Sequence, residues 1–313
     1  MREPILASIL IPCYNQAHVL AEAIDSALAQ TYPRVEVVVV DDGSTDGTAA
    51  VAERYGDRIV LVRQPNAGLS EARNTAIRHA SGGVLVLLDS DDVLLPHSVA
   101  SRVALLEADP AVGIVAGYYR EIDEQGVMLD RVPEVRHVSS LNPFYQTVKR
   151  NWGPPVGWTF RREAVEECGG FDPTLRSCED WDLLMRVTAR WKLAYDPSVA
   201  ALYRQSPGSM SRNHRVMLDA AAQVLAKNAQ LAPNRLAYAW WAQFGRFQHG
   251  RRVLFNVLTT GPWPHRLWQL FGLVAARPHL LWVGAFSLVS LLAGKRPSAP
   301  AKEEPKAERR RAA

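Results

Sequence analysis

Apolar residues arrive in short unbroken runs separated by stretches of helical spacing, and the two alternate through the first 110 or so positions. Ala7-Ser-Ile-Leu-Ile11, Val35-Glu-Val-Val-Val-Val40, Ile59 to Arg63 and Val84-Leu-Val-Leu-Leu88 have the length and composition of strands buried on both faces. Pro12 reads as the end of the first. Between these runs, Val19, Leu20, Ile24, Ala27 and Leu28 fall on one face of a helix over 17–30. Further helices are predicted up to about Tyr55, capped by Thr45 or Asp46, and over Leu69 to Ala80. After Pro96 come a helix to about Ala108 and a strand from Val112 to Tyr119. Residues 120–155 are weakly patterned and yield one helix, around Pro143 to Arg150. Gly157 to Phe160 reads as a short strand, Arg162 to Cys168 as a helix, Gly169-Gly-Phe-Asp-Pro173 as a turn, and Glu179 to Thr188 as a helix. Strand and helix in alternation predict an α/β fold, a mostly parallel sheet with helices on both faces.

In such sheets ligands sit beyond the carboxyl ends of the strands. The first four predicted strands end in Pro-Cys-Tyr-Asn, Asp-Asp-Gly-Ser, Asn-Ala-Gly and Asp-Ser-Asp-Asp, so one site is lined from four sides. Asp89-Ser-Asp-Asp92 puts three carboxylates within four positions, a costly arrangement unless something positive sits among them. Oxygen ligands on a short turn suit Mg²⁺ or Mn²⁺ rather than Zn²⁺. The competing reading is a solvated acidic turn ahead of a helix. Glu179 and Asp180 open a predicted helix, where the helix dipole alone favours carboxylates.

Composition adds a division along the chain. With 313 residues, 48% of them hydrophobic, there is material for one large domain or two. The three cysteines have no zinc or disulfide spacing, which fits a reducing compartment, and no signal peptide is expected in the first twenty residues. Residues 220–313 carry 14 Lys and Arg against 3 Asp and Glu, leaving 22 against 29 in residues 1–219. Five of the nine tryptophans (240, 241, 263, 268, 282) fall in the acid-free span between Ala220 and Lys302. The predicted organisation is therefore an α/β domain over 1–219, a basic helical region over 220–294 and a disordered tail over 295–313. Leu267, Leu270, Phe271 and Val274 form a helical stripe, and the uncharged stretch 278–294 is at the lower limit for a spanning helix. An amphipathic segment on an anionic membrane surface fits this pattern, with packing against the α/β domain as the competing reading. The charges are too scattered for a nucleic-acid surface.

Taken together, Ile9-Leu-Ile-Pro-Cys-Tyr-Asn15, Val39-Val-Asp-Asp-Gly-Ser-Thr-Asp46, Asn66-Ala-Gly with Ala72-Arg-Asn74, Leu88-Asp-Ser-Asp-Asp92, and Gly169-Gly-Phe-Asp with Glu179-Asp-Trp-Asp182 resemble the family 2 glycosyltransferases of GT-A fold, over roughly residues 5–210. The resemblance implies an inverting transfer from a nucleotide-sugar donor, usually a UDP-sugar, with Mn²⁺ or Mg²⁺ as cofactor. Carried over, Pro12 and Tyr14 border the nucleoside, Asp42 accepts from the base, and Asn66 and Arg73 belong to the donor site. Asp89 and Ser90 lie beside the ribose and sugar, and Asp91, with Asp89, binds the metal. Asp92 supports the turn instead. Asp180 is the base that deprotonates the acceptor, with Glu179, Trp158 and Trp181 on the acceptor side. Many members have a histidine where this chain has Gln205 or Ser206, and Arg204 or His214 could stand in for it. The implied setting is cytoplasmic, peripheral on the inner face of the cell membrane, with a lipid-linked or polysaccharide acceptor and no nucleic-acid partner. A nucleotidyltransferase is disfavoured, since Pro12-Cys-Tyr-Asn is not a Gly-rich basic loop. A catalytically silent nucleotide-sugar-binding subunit is disfavoured because both carboxylate motifs are kept.

Overall fold

This computed structural model describes residues 3–130, 143–149, 151, 153–206 and 214–242. The chain divides into two compact units, Met1–Arg246 and Phe247–Ala313. The second unit, and with it the 267–274 stripe, the 278–294 stretch and the tail, lies outside the described residues.

The first unit runs β1 (Ala7–Cys13), α1 (Leu20–Leu28), β2 (Val35–Asp41), α2 (Thr48–Glu53), β3 (Val60–Arg63), α3 (Leu69–His79), β4 (Val84–Leu87), β5 (Val93–Leu94), α4 (Ser98–Ala108), β6 (Val112–Ile122), α5 (Pro143–Lys149), β7 (Thr159–Arg161), α6 (Arg162–Glu167), α7 (Glu179–Thr188), β8 (Lys192–Arg204) and α8 (His214–Lys227). It continues through α8, past the boundary expected at 219. The strands form one sheet in the order β3-β2-β1-β4-β7-β6-β8-β5. β1, β2, β3 and β4 pair in parallel, as do β6 and β8. β7 lies antiparallel to both β4 and β6, and β5 antiparallel to β8, so the sheet is mixed.

Alternation along the parallel strands decides what packs where. Ile9, Ile11, Val37, Val39, Val84 and Val86 face α1, α2 and α4, whereas Leu10, Val38, Val40, Leu85 and Leu87 face α3, α6 and α7. Burying each such side chain stabilises the fold by about 1.5–3 kcal/mol. A third cluster joins α5, α7 and α8 through Phe144, Val148, Trp181, Met185, Val224 and Leu225.

One proline behaves differently from the sequence expectation, and a second lies inside a strand that the sequence pattern does not predict. Pro12 does not end β1 but sits within it, opposite Val40. Leu10 accepts from Leu88 N on the β4 side, and Pro12, two residues on, faces the same way where β4 has already ended, so no ladder hydrogen bond is lost. β8 has 13 residues, and the pattern does not announce it because Asp196-Pro-Ser198 reads as a turn. The register skips from Gly117↔Asp196 to Tyr118↔Val199, leaving Pro197 and Ser198 in a bulge where the missing N–H costs nothing.

Candidate active site

The loops after β1 and β2 are stitched into one wall. Asn15, at φ +54°, accepts Thr45 N on its side-chain oxygen (2.8 Å) and gives its own N–H to Ser44 Oγ (2.9 Å), while Gln16 N reaches Thr48 Oγ1 (2.8 Å). The turn after β2 needs glycine at 43, which has φ +75° and where a Cβ would stand 2.6 Å from Asn66 N. Asp42, 3% exposed, organises the third loop: Oδ1 accepts from Gln64 Nε2 (2.7 Å) and Ala67 N (2.9 Å), and Oδ2 from Gly68 N (2.8 Å). Asn66 lies exposed on this loop, Pro12 is buried at the end of β1, and Tyr14 is 47% exposed.

Arg73 on α3 is 1% exposed and bridges two motifs. Its Nη2 donates to Asp89 Oδ1 (2.6 Å) and its Nη1 to Glu179 Oε1 (2.7 Å), and its guanidinium lies 5.2 Å from the ring centre of Phe171. Asn74 fixes the turn carrying Phe171, accepting Phe171 N and donating to Phe171 O, both at 2.8 Å. Gly170 has φ +72°, and a Cβ there would meet Asn74 Oδ1 at 2.7 Å. The Ala-Arg-Asn and Gly-Gly-Phe-Asp motifs are thus two halves of one support. Arg73 is buried, with both terminal nitrogens committed to these two carboxylates. Glu179, 7% exposed, gives one carboxylate oxygen to Arg73.

The acidic turn is held from behind. Asp92 N bonds Asp89 O (3.0 Å), and Asp92 Oδ1 accepts Arg204 N (2.8 Å). Arg204, 4% exposed, donates Nε to Asp91 O (2.8 Å) and Nη1 to the carbonyls of Asp123 (3.2 Å) and Glu124 (3.0 Å), and its Nη2 pairs with Glu22. It cannot take the place of the absent histidine, because its donors already hold this turn. The side chain of His214, the other substitute considered, lies outside what is described. Ser90 is buried, Asp89 half-buried, and no other described side chain bonds the Asp91 carboxylate. Burial, then the neighbouring charge of Asp89, push Asp91 up to about 6. A cation would reverse that balance, so the donor set fits one. Among the described residues no cluster of three or more acidic, histidine or cysteine ligands forms, so these carboxylates alone do not make a closed metal site.

The start of α7 is tied to the acidic turn through the Glu179–Arg73–Asp89 bridge. Partly buried Asp180 accepts Trp181 N on Oδ1 (2.7 Å) and Asn151 Nδ2 on Oδ2 (3.1 Å). Burial, then the charge of Glu179, push its carboxyl up to about 7, against the pull of Arg73. The preceding Cys178 is left-handed at φ +59°, a conformation that costs about 1–2 kcal/mol for a side chain of this kind. The two tryptophans assigned to the acceptor belong to the core instead. Trp181 is 0% exposed and donates its indole N–H to Thr147 O (2.6 Å), and Trp158 is 3% exposed against Phe160, so neither offers a ring face to a sugar. Asp182 is structural: it accepts from Arg186, Lys227 and Asn228, tying α7 to α8. Gln64, Asn151, Glu22 and the structural role of Arg204 have no sequence signal that marks them, because each acts through a contact set by the tertiary fold.

A family model described as "Glycosyl transferase family 2" matches residues 8–169. An uncharacterized glycosyltransferase of Rickettsia felis is 34% identical over 199 residues, 62% of this chain and 33% of that protein, so the match spans a third of the relative. One from Rickettsia prowazekii is 34% identical over 203 residues, 62% of each chain. Among solved structures, S. aureus TarS 1–349 in complex with UDP-GlcNAc superposes with a TM-score of 0.66 at 18% identity, over 82% of this chain and 76% of that one. A Pyrobaculum calidifontis mannosyltransferase in complex with GDP-Man and Mn²⁺ gives 0.62 at 23%, over 94% and 89%. At such identities the likeness is one of fold, and that fold is GT-A. With the family match spanning more than half of the sequence, the chain belongs to glycosyl transferase family 2.

Proposed function

We propose that this protein transfers a sugar, with inversion, from a UDP-sugar to a hydroxyl of a lipid-linked or polysaccharide acceptor. The observation that carries the reading is the Arg73 bridge, which ties the donor-side Asp89 to Glu179, the residue beside Asp180. It links the acidic turn to the helix start that carries a raised-pKa carboxylate, and a single displacement with base assistance requires the two to act together. Asp180 takes the acceptor proton as the hydroxyl attacks the anomeric carbon, and Asn151 and the Trp181 N–H aim its carboxylate. Asp42 meets the nucleobase, and Tyr14 and Asn66 line the nucleoside. Ser90 and Asp89 lie beside the ribose and sugar. Mn²⁺ or Mg²⁺ bound at Asp91, with Asp89 adjacent, would neutralise charge on the departing diphosphate.

Asp91→Ala tests the donor half. Calorimetry with UDP should show Mn²⁺-dependent binding in the parent and a loss of roughly tenfold or more in the variant. Equal, Mn²⁺-dependent affinity in both would remove Asp91 from the metal site. Incubating the parent with a panel of nucleotide sugars and scoring release of the nucleoside diphosphate separates a working transferase from a silent binding subunit.

The membrane reading rests on the acid-free, tryptophan-rich composition of 220–294. Among the described residues no helix is long and apolar enough to cross a membrane. The full chain is expected to sediment with vesicles containing anionic lipid and to be released as salt rises. Protein left in the supernatant at low salt would refute a peripheral, inner-face location.

A further inference from the structure

Asp42 is served by a chain of hydrogen bonds that starts on the exposed face of α3. Arg78 Nη2 donates to Thr75 Oγ1 (2.7 Å), Thr75 Oγ1 donates to Gln64 Oε1 (2.6 Å), and Gln64 Nε2 donates to Asp42 Oδ1 (2.7 Å). The direction of the chain is forced at both ends. A guanidinium only donates and an ionised carboxylate only accepts, so the Thr75 hydroxyl hydrogen must point to Gln64 and the amide cannot turn over. Gln64 is further tethered by its backbone, whose N–H bonds Asp41 O at 3.0 Å.

The count of acceptor positions on Asp42 follows. An ionised carboxylate offers about four lone-pair sites. Ala67 N and Gln64 Nε2 take both on Oδ1, and Gly68 N takes one on Oδ2. A single position is left, on Oδ2.

We propose that Gln64 sets the nucleobase preference of the donor site by leaving Asp42 one open acceptor position. The inference rests on the reading of Asp42 as the residue that meets the base. An imide base, uracil or thymine, has one ring N–H to give and is satisfied by that position. Guanine presents two adjacent donors, N1–H and N2–H, and needs both carboxylate oxygens. At Asp42 its second donor would face an oxygen already filled, and a donor left unpaired in a buried site is strongly disfavoured. The amide at 64 therefore acts as an occupant of the second oxygen, and removing it should admit guanine.

The test is calorimetric titration of the full chain, with Mn²⁺, by UDP and by GDP, in the parent and in Gln64→Leu and Thr75→Val. Leucine keeps much of the bulk and deletes the donor. Valine leaves Gln64 in place but frees its amide to rotate, while Arg78, with 57% of its side chain exposed, turns to water at little cost. The parent should favour UDP, and the ratio of UDP to GDP affinity should fall roughly tenfold or more in Gln64→Leu, the scale on which one bidentate base contact discriminates. Thr75→Val should move the ratio in the same direction by less. A purely structural Gln64 would weaken both nucleotides alike, so an unchanged ratio in both variants overturns the specificity role while leaving the uridine reading intact. A parent that binds GDP as tightly as UDP overturns the uridine reading itself.

Discussion

Asp180→Asn is expected to lose roughly 10²–10⁴-fold in the rate of transfer while binding UDP and metal as the parent does. The exchange keeps the size of the side chain and one oxygen for the Trp181 N–H, and removes the group that takes the proton. The pH dependence supplies a second signature. Burial and Glu179 raise the carboxyl to about 7, so the ionised, working form is scarce below neutrality. In the parent kcat/KM should therefore climb with pH through about 7 and level off above it, and in Asp180→Asn that rise should be gone. A variant with near-normal turnover, or one that loses donor affinity in step with activity, would hand the base role to another residue. Asp182→Asn is unsuitable as a neutral control, because Asp182 holds Arg186, Lys227 and Asn228 together.

The second large effect is on stability. Arg73→Met fills similar volume but leaves Asp89 and Glu179 without the cation between them. Removing one partner from a buried ionic group costs about 3–5 kcal/mol. Urea unfolding should show that loss as a lower midpoint with little change in slope. A shift worth less than about 1 kcal/mol would mean that water, rather than Arg73, satisfies the two carboxylates.

The first half of the catalytic unit could be read from the sequence because its strands are buried on both faces and its helices carry one apolar face, so periodicity and burial coincide. Motif order then gave the expectation of a site at the strand ends. The pattern failed where two rules compete. Asp196-Pro-Ser198 has turn chemistry and yet lies inside β8, where a bulge absorbs it. Trp181, next to Asp180 in sequence, points the other way: on α7 successive residues lie about 100° apart, so the neighbour of the partly exposed Asp180 faces the core. Arg73 and Glu179 were recognisable as site residues, but their mutual contact spans 106 positions and carries no local signal.

Arg204 also has a bearing on how the chain acquires its site. The turn bearing Asp91 is secured to a residue 112 positions downstream of Asp92, and the same arginine reaches back 182 positions to Glu22. Contacts of such separation form late, because loop-closure entropy must be met before they stabilise anything. A nascent chain that has released β1 to β4 from the ribosome has the first four strands but not the clamp on its acidic turn. In refolding experiments pairing of β1 to β4 should accordingly precede recovery of Mn²⁺-dependent nucleotide binding, which waits for β8 to join.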